Sequence, residues 1–173
     1  KGYETELALS GCHGPLAVRG RADGFDPAAG RLEEIKTHKG PLSRQPDNHR
    51  DLHWAQLKVY GALLCASQGR SELQLALVYL DVATGKETPL IERWRASDLQ
   101  AFWNRQAEAF LSWALQEAAH RDARDASLLS LTFPHATFRH GQRVLAEGVF
   151  KVTRAARCLL AQAPTGIGKT MAT

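Results

Sequence analysis

The sequence has no run of roughly 18 or more consecutive apolar residues, which excludes a helix of the length a bilayer demands. Lys1 is followed by no apolar segment of the signal type, so no membrane partner is expected. Cysteine is scarce. Cys12, Cys65 and Cys158 are odd in number, widely separated and never spaced as CxxC, which argues against a disulfide framework, a zinc site or a complete four-cysteine iron–sulfur cluster within this chain. A reducing compartment follows, and the cytoplasm is the expected location. Internal repeats and low-complexity tracts are also missing. What remains is an ordinary globular composition, 44% hydrophobic and 23% charged over 173 residues, enough for a core of its own. The net charge of +4 is compatible with a polyanionic partner without demonstrating one.

Three strands are expected first: Tyr3 to Ser10, Leu16 to Phe25 and Arg31 to Thr37, with Gly11–Pro15 and Asp26–Gly30 as turns, forming an antiparallel meander. A polar loop follows from Lys39 to Arg50. The period then changes to three and four, predicting a helix from about Asp47 to Gln68 that ends at Gly69, with Asp47 or Asn48 as its N-cap. Ser71 to Val82 is a strongly apolar run, expected as a central strand, and Glu87 to Trp94 as a further one. Ser97 is expected to cap a long helix to about His120, with Leu99, Phe102, Trp103, Ala107, Phe110, Leu111, Ala114 and Leu115 in one core stripe. The charged stretch after Arg121 reads as a linker, 121–132. Beyond it come a helix from Arg143 to about Arg157, a short buried strand Cys158–Gln162, and Ala163-Pro164-Thr165-Gly166-Ile167-Gly168-Lys169-Thr170 opening another helix.

Two stretches carry chemistry. In the second and third strands, Asp23 is brought beside Glu34 and Lys36, which share a face because side chains alternate. Two carboxylates suit a hard divalent cation that completes its shell with water and phosphate oxygens, and the ammonium suits a developing phosphate charge. Alone, such a cluster is equally a turn Asp beside an exposed ion pair. On the first helix Gln56 and Tyr60 stand four apart on one face. The second stretch, Ala163–Thr170, fits a phosphate-binding loop. Its glycines let backbone N–H groups curl round phosphates, its lysine reaches the terminal phosphates and its hydroxyl reaches Mg²⁺. Trp54, Trp94, Trp103 and Trp113 could stack bases, with core packing the safer reading.

Asp23, Glu34-x-Lys36 and Gln56-x-x-x-Tyr60, in this order, resemble the PD-(D/E)XK nuclease superfamily in its RecB-like branch. Phe138-Arg139-His140-Gly141-Gln142 with Ala161–Thr173 looks like the start of the first motor domain of DinG-type superfamily 2 DNA helicases, over about the last forty residues. The implied fold is α/β: a restriction-endonuclease-like core with a mixed central sheet flanked by helices in 1–120, then a truncated P-loop motor start in 133–173. The implied activity is Mg²⁺- or Mn²⁺-dependent DNA cleavage within a nuclease–helicase chain of DNA repair or processing, with ATPase and helicase activity only in a longer polypeptide. Asp23, Glu34 and the Ile35 carbonyl would hold metal. Lys36, Gln56 and Tyr60 would complete the catalytic set. Lys39, Arg44, His49 and Arg50 would contact DNA phosphates. Gln142, Thr165, Gly166, Gly168, Lys169 and Thr170 would bind ATP with Mg²⁺. The helicase family's cluster cysteines would lie downstream, and the nuclease superfamily's further acid or histidine on a helix before the first strand. Both ends of the chain read as interrupted elements. Because the tail's strand and loop lack their sheet, it is expected to be packed against something else, mobile, or held in a non-motor conformation. The competing expectation is a non-catalytic DNA-binding or docking module serving the motor; a third is an ATP-binding enzyme whose first domain merely happens to be β-rich.

Overall fold

The computed structural model describes residues 2–172 as a mixed α/β chain. Its five-stranded sheet has the order β1-β2-β3-β4-β5. The strands are β1 Glu4–His13, β2 Leu16–Asp26, β3 Arg31–His38, β4 Glu72–Asp81 and β5 Glu87–Arg95. β1, β2 and β3 pair antiparallel, β4 runs parallel to β3, and β5 returns antiparallel to β4. A parallel neighbour requires a crossover, and α1, Asp47–Gln68, supplies it. β4 lies inside the sheet, as its continuous apolar run implies.

The pairing of β2 is divided. It bonds β3 only over Gly24↔Glu33, Phe25↔Leu32 and Asp26↔Arg31, yet it bonds β1 from Leu16 to Phe25. Before Asp23, β1 and β2 are therefore a two-stranded arm that leaves the main sheet. Leu7, Leu9, Leu16 and Val18 of this arm join the core around α1. Close approach explains the small residues there: a Cβ on Gly11 would overlap Leu63 of α1, and one on Gly20 would lie 2.6 Å from the Tyr60 hydroxyl. The arm's turn is tighter than the expected Gly11–Pro15, because strand pairing continues to His13↔Leu16 and Gly14 takes the bend at φ 54°.

The core is built where Leu32, Leu73, Leu75, Leu77 and Tyr79 meet Leu57, Ala62 and Leu64 of α1 and Leu99, Trp103 and Ala107 of α2. α1 has no side-chain cap at its start, Pro46 being the N-cap, so Asp47 stands within the first turn rather than at the cap. It ends on Gly69 at φ 63°. α2 begins at Ala96, which places Ser97 inside the helix, and runs to Leu129. No glycine or proline interrupts 96–129, and Ala, Arg and Leu make up six of the nine residues 121–129, so helix continues through much of the stretch read as a linker. The expected apolar stripe is only partly core: Leu99, Trp103 and Ala107 are buried, while Phe110 and Leu115 are exposed.

The chain divides into two compact units, Lys1–His120 and Arg121–Thr173. In the second, α3 spans Gln142–Arg154. The expected strand Cys158–Gln162 is absent, these residues being coil with Leu160 fully exposed, because no neighbouring strand pairs with them. Lys169–Met171 forms a single 3-10 turn where a helix was expected. Among the described residues no helix is long and apolar enough to cross a membrane.

Candidate functional site

Residues from β2, β3 and α1 converge where the β1–β2 arm departs from the sheet. Extending the β2–β3 register one step beyond Gly24↔Glu33 sets Asp23 opposite Glu34. That step is not a ladder pair. Instead the Asp23 carboxylate accepts the Ile35 N–H at 2.6 Å, so the side chain takes over as the backbones part. Alternation also slips here. Ala22 and Phe25, three apart, are both buried, and the residue opposite Asp23 in the β1 register, Glu6, holds φ 52°. A left-handed non-glycine residue within a strand costs about 1–2 kcal/mol.

Glu34 is 2% exposed. One of its oxygens, Oε1, accepts the Lys36 ammonium at 2.5 Å and the Gln56 amide at 2.7 Å. The Lys36 ammonium also donates to Gln56 Oε1 at 3.2 Å, and Gln56 Nε2 approaches the Tyr60 hydroxyl at 3.4 Å. The spacing of four on α1 thus delivers a chain Tyr60–Gln56–Glu34/Lys36. Glu34 Oε2, by contrast, is buried without a partner. Burial raises the Glu34 pKa; Lys36 and Gln56 pull it back down, and the neighbouring Asp23 charge adds to the rise.

The fit to a divalent cation follows from the donor set. A buried carboxylate oxygen with no hydrogen-bond partner, close to a second carboxylate, is what a cation would satisfy. No three His, Cys, Asp or Glu side chains cluster to hold a metal among the described residues, so two carboxylates would need water or phosphate oxygens beside them, as Mg²⁺ commonly accepts. Ile35 offers the site its N–H, which goes to Asp23.

The expected phosphate contacts fall in two settings. Lys39 and Arg44 are exposed on the segment between β3 and α1, Arg44 in a 3-10 turn. Arg50, expected on the loop, stands instead in the first turns of α1, half-buried, its Nε without a partner. Sequence reasoning missed Tyr79. It is fully buried on β4 beside Lys36 in the parallel register, and its hydroxyl lies 3.0 Å from His53 Nδ1. Within an apolar strand run a tyrosine reads as core, and only its pairing position beside Lys36 distinguishes it. Gly20, which clears space for the Tyr60 ring, was legible only as part of a glycine-bearing strand. Of the tryptophans, Trp54 and Trp103 are core, Trp94 lies under the Lys58 ammonium at 4.4 Å, and Trp113 is exposed beside Phe110.

In the second unit, Gly166 and Gly168 hold φ near +80°, at 82° and 80°. Their carbonyls are tied back: Gly166 accepts the Arg139 guanidinium at 2.6 Å and Gly168 the Gln142 amide at 3.0 Å. Gln142 is buried and also accepts the Arg139 N–H at 3.0 Å. The Lys169 ammonium reaches the Pro164 carbonyl at 3.0 Å. Thr165 and Thr170 are exposed. Gln142, Gly166, Gly168 and Lys169 are thereby assembled into one loop structure, without the flanking strand and helix of a motor domain.

No protein-family model matches the chain, and no curated protein does. Among solved structures it is similar to one described as the crystal structure of SSO0001, with 22% identity and a TM-score of 0.40, covering 64% of this chain and 50% of that one. The chain thus spans half the length of that structure.

Proposed function

We propose that residues 1–120 are a metal-dependent DNA nuclease domain of the PD-(D/E)XK type, in a chain whose residues 133–173 begin a DinG-type helicase motor. The observation that carries the reading is the divided state of Glu34: Oε1 is saturated by Lys36 and Gln56, while Oε2 is buried and unpartnered, with the Asp23 carboxylate bonded to the next residue, at Ile35 N–H. Burying a carboxylate this way without a cation costs stability, and a binding site is the ordinary reason to retain it.

In this reading Asp23 and Glu34 would hold Mg²⁺ or Mn²⁺. When bound, the metal supplies charge neutralisation at the phosphate and a more acidic water. Gln56 bonds both Lys36 and Glu34, so the ammonium stays beside the carboxylate, where an attacking water or a phosphate oxygen would arrive. Tyr60 supports Gln56 from one turn below. Gln142, Thr165, Gly166, Gly168, Lys169 and Thr170 would bind ATP with Mg²⁺ once a complete motor surrounds them.

The test is cleavage of labelled single-stranded and duplex DNA with Mg²⁺ or Mn²⁺ by the full chain, its Asp23→Ala and its Lys36→Ala variants. Cleavage lost in both variants supports the assignment; cleavage at wild-type rate in both refutes it. A second reading, a non-catalytic DNA-binding or docking module serving the motor, is favoured by one contact: an Asp23 oxygen is already taken by Ile35 N–H at 2.6 Å. It predicts DNA binding by the wild type with no cleavage under either metal.

A further inference from the structure

Upstream of Gln56 on α1, the same face carries His53 and His49, at spacings of three and four. Arg50 lies one turn before His53. At about 100° per residue, Asp47 and Asp51 fall on the far side of the helix from His49 and His53. The line of His49 and His53 therefore carries no carboxylate, while Asp47 stands three residues before Arg50 on the flank of that line. The two histidines continue the line Tyr60–Gln56–Lys36 toward the buried Tyr79, which neighbours Lys36 in the sheet.

The buried Tyr79 hydroxyl lies 3.0 Å from His53 Nδ1, which holds the ring in orientation and leaves Nε2 as its other polar atom. Burial raises the Tyr79 pKa and the nearby charge of Arg50, a donor only, opposes the rise, so the guanidinium stands beside the phenol. Burial, then Lys36 and His49, lower the His53 pKa, which favours the neutral ring. Meanwhile Arg50 Nε is buried with no acceptor. Glu34, the carboxylate on this side, is occupied by Lys36 and Gln56.

We propose that Arg50 and His53, the latter held by Tyr79 with its proton on Nε2, form a binding site for a phosphate group of a nucleic-acid strand, next to the position a scissile phosphate would take at Glu34 and Lys36. The inference rests on the reading that this unit engages DNA. Arg50 supplies charge and a forked donor, and His53 supplies a neutral N–H, so the two contribute differently to salt dependence.

The test is fluorescence anisotropy of the full chain, in EDTA, with a 3′-labelled single-stranded oligonucleotide bearing either a 5′-hydroxyl or a 5′-phosphate. Arg50→Gln is expected to weaken binding about tenfold and to reduce the slope of log K against log salt by about 0.7, the value of one phosphate contact on a single strand. His53→Ala is expected to weaken binding several-fold with the slope unchanged. An equal loss with both oligonucleotides places an internal phosphate in the site; a loss only with the 5′-phosphate places a strand end there. Should Arg50→Gln fail to fold, Arg50→Lys serves: it keeps the slope and loses several-fold in affinity. Wild-type affinity in Arg50→Lys and His53→Ala, or in a folded Arg50→Gln, overturns the proposal. If the wild type binds through Arg50 but never cleaves with Mg²⁺ or Mn²⁺, the nuclease reading fails and this site stands. Cleavage with Arg50-independent binding does the reverse.

Discussion

Glu34→Gln is the perturbation that isolates the cost of the buried carboxylate. The variant keeps an oxygen for Lys36 and Gln56 and replaces only the unpartnered Oε2 by a neutral amide group. Because the folded-state pKa of Glu34 is raised above its ordinary value of 4.5, mainly by burial, Glu34 contributes stability that is fully present below that value. That contribution is lost as pH rises through the raised folded-state pKa. In metal-free buffer the variant should therefore match or fall below wild type at pH 4 and exceed it at pH 7.5. An unsatisfied buried polar atom costs about 1–3 kcal/mol. Part of this persists in the amide, so a gain of about 1 kcal/mol is expected, or roughly 3 °C in Tm for a unit of this size. Differential scanning fluorimetry across pH, with EDTA and then with Mn²⁺, reads it. Mn²⁺ at about 100 times its Kd should add about 2.7 kcal/mol to wild type and much less to the variant. A variant less stable than wild type at pH 7.5, by as much as at pH 4, would show that Lys36 fully compensates the charge and would refute the reasoning.

Lys36→Ala leaves Glu34 with Gln56 as its partner and should destabilise the metal-free protein by about 1–3 kcal/mol, partly restored by Mn²⁺ in a thermal melt. Gly20→Ala drives a methyl into the Tyr60 ring and should cost about 1–3 kcal/mol; combined with Tyr60→Ala the two losses should be strongly non-additive in denaturant titrations, and simple additivity would place Tyr60 elsewhere. Glu6→Gly relieves a left-handed residue and should stabilise by about 0.5–1 kcal/mol at the urea midpoint, with no change in metal response. Lys169→Ala should leave DNA cleavage by the first unit unchanged, measured in the same gel assay.

The sheet was legible because its strands alternate or run apolar between turn signals, and α1 because its period is unmistakable from Leu52 to Leu64. The constellation of Glu34, Lys36, Gln56 and Tyr60 was legible for the same reason, since face and spacing survive translation from sequence to structure. Three features were not. The full length of α2 depended on the mere absence of Gly and Pro after His120, which outweighed the charged composition. The strand at Cys158–Gln162 needed neighbours that local sequence cannot supply. Asp23 was expected beside Glu34, but its bond to Ile35 depends on where β2 parts from β3, a property of the pairing and not of either strand.

That parting has a mechanical meaning. From Leu16 to Asp23 the arm is roughly 25 Å long at the usual strand rise. It is joined to the sheet through the three paired positions Gly24–Asp26. A small tilt of the arm on α1 would pivot at Asp23 and change its separation from Glu34 while leaving the β3–β4 pairing intact. The spacing of these two carboxylates is thus tied to a lever whose far end is a hairpin tip at Gly14, and whatever presses on that tip would act on it.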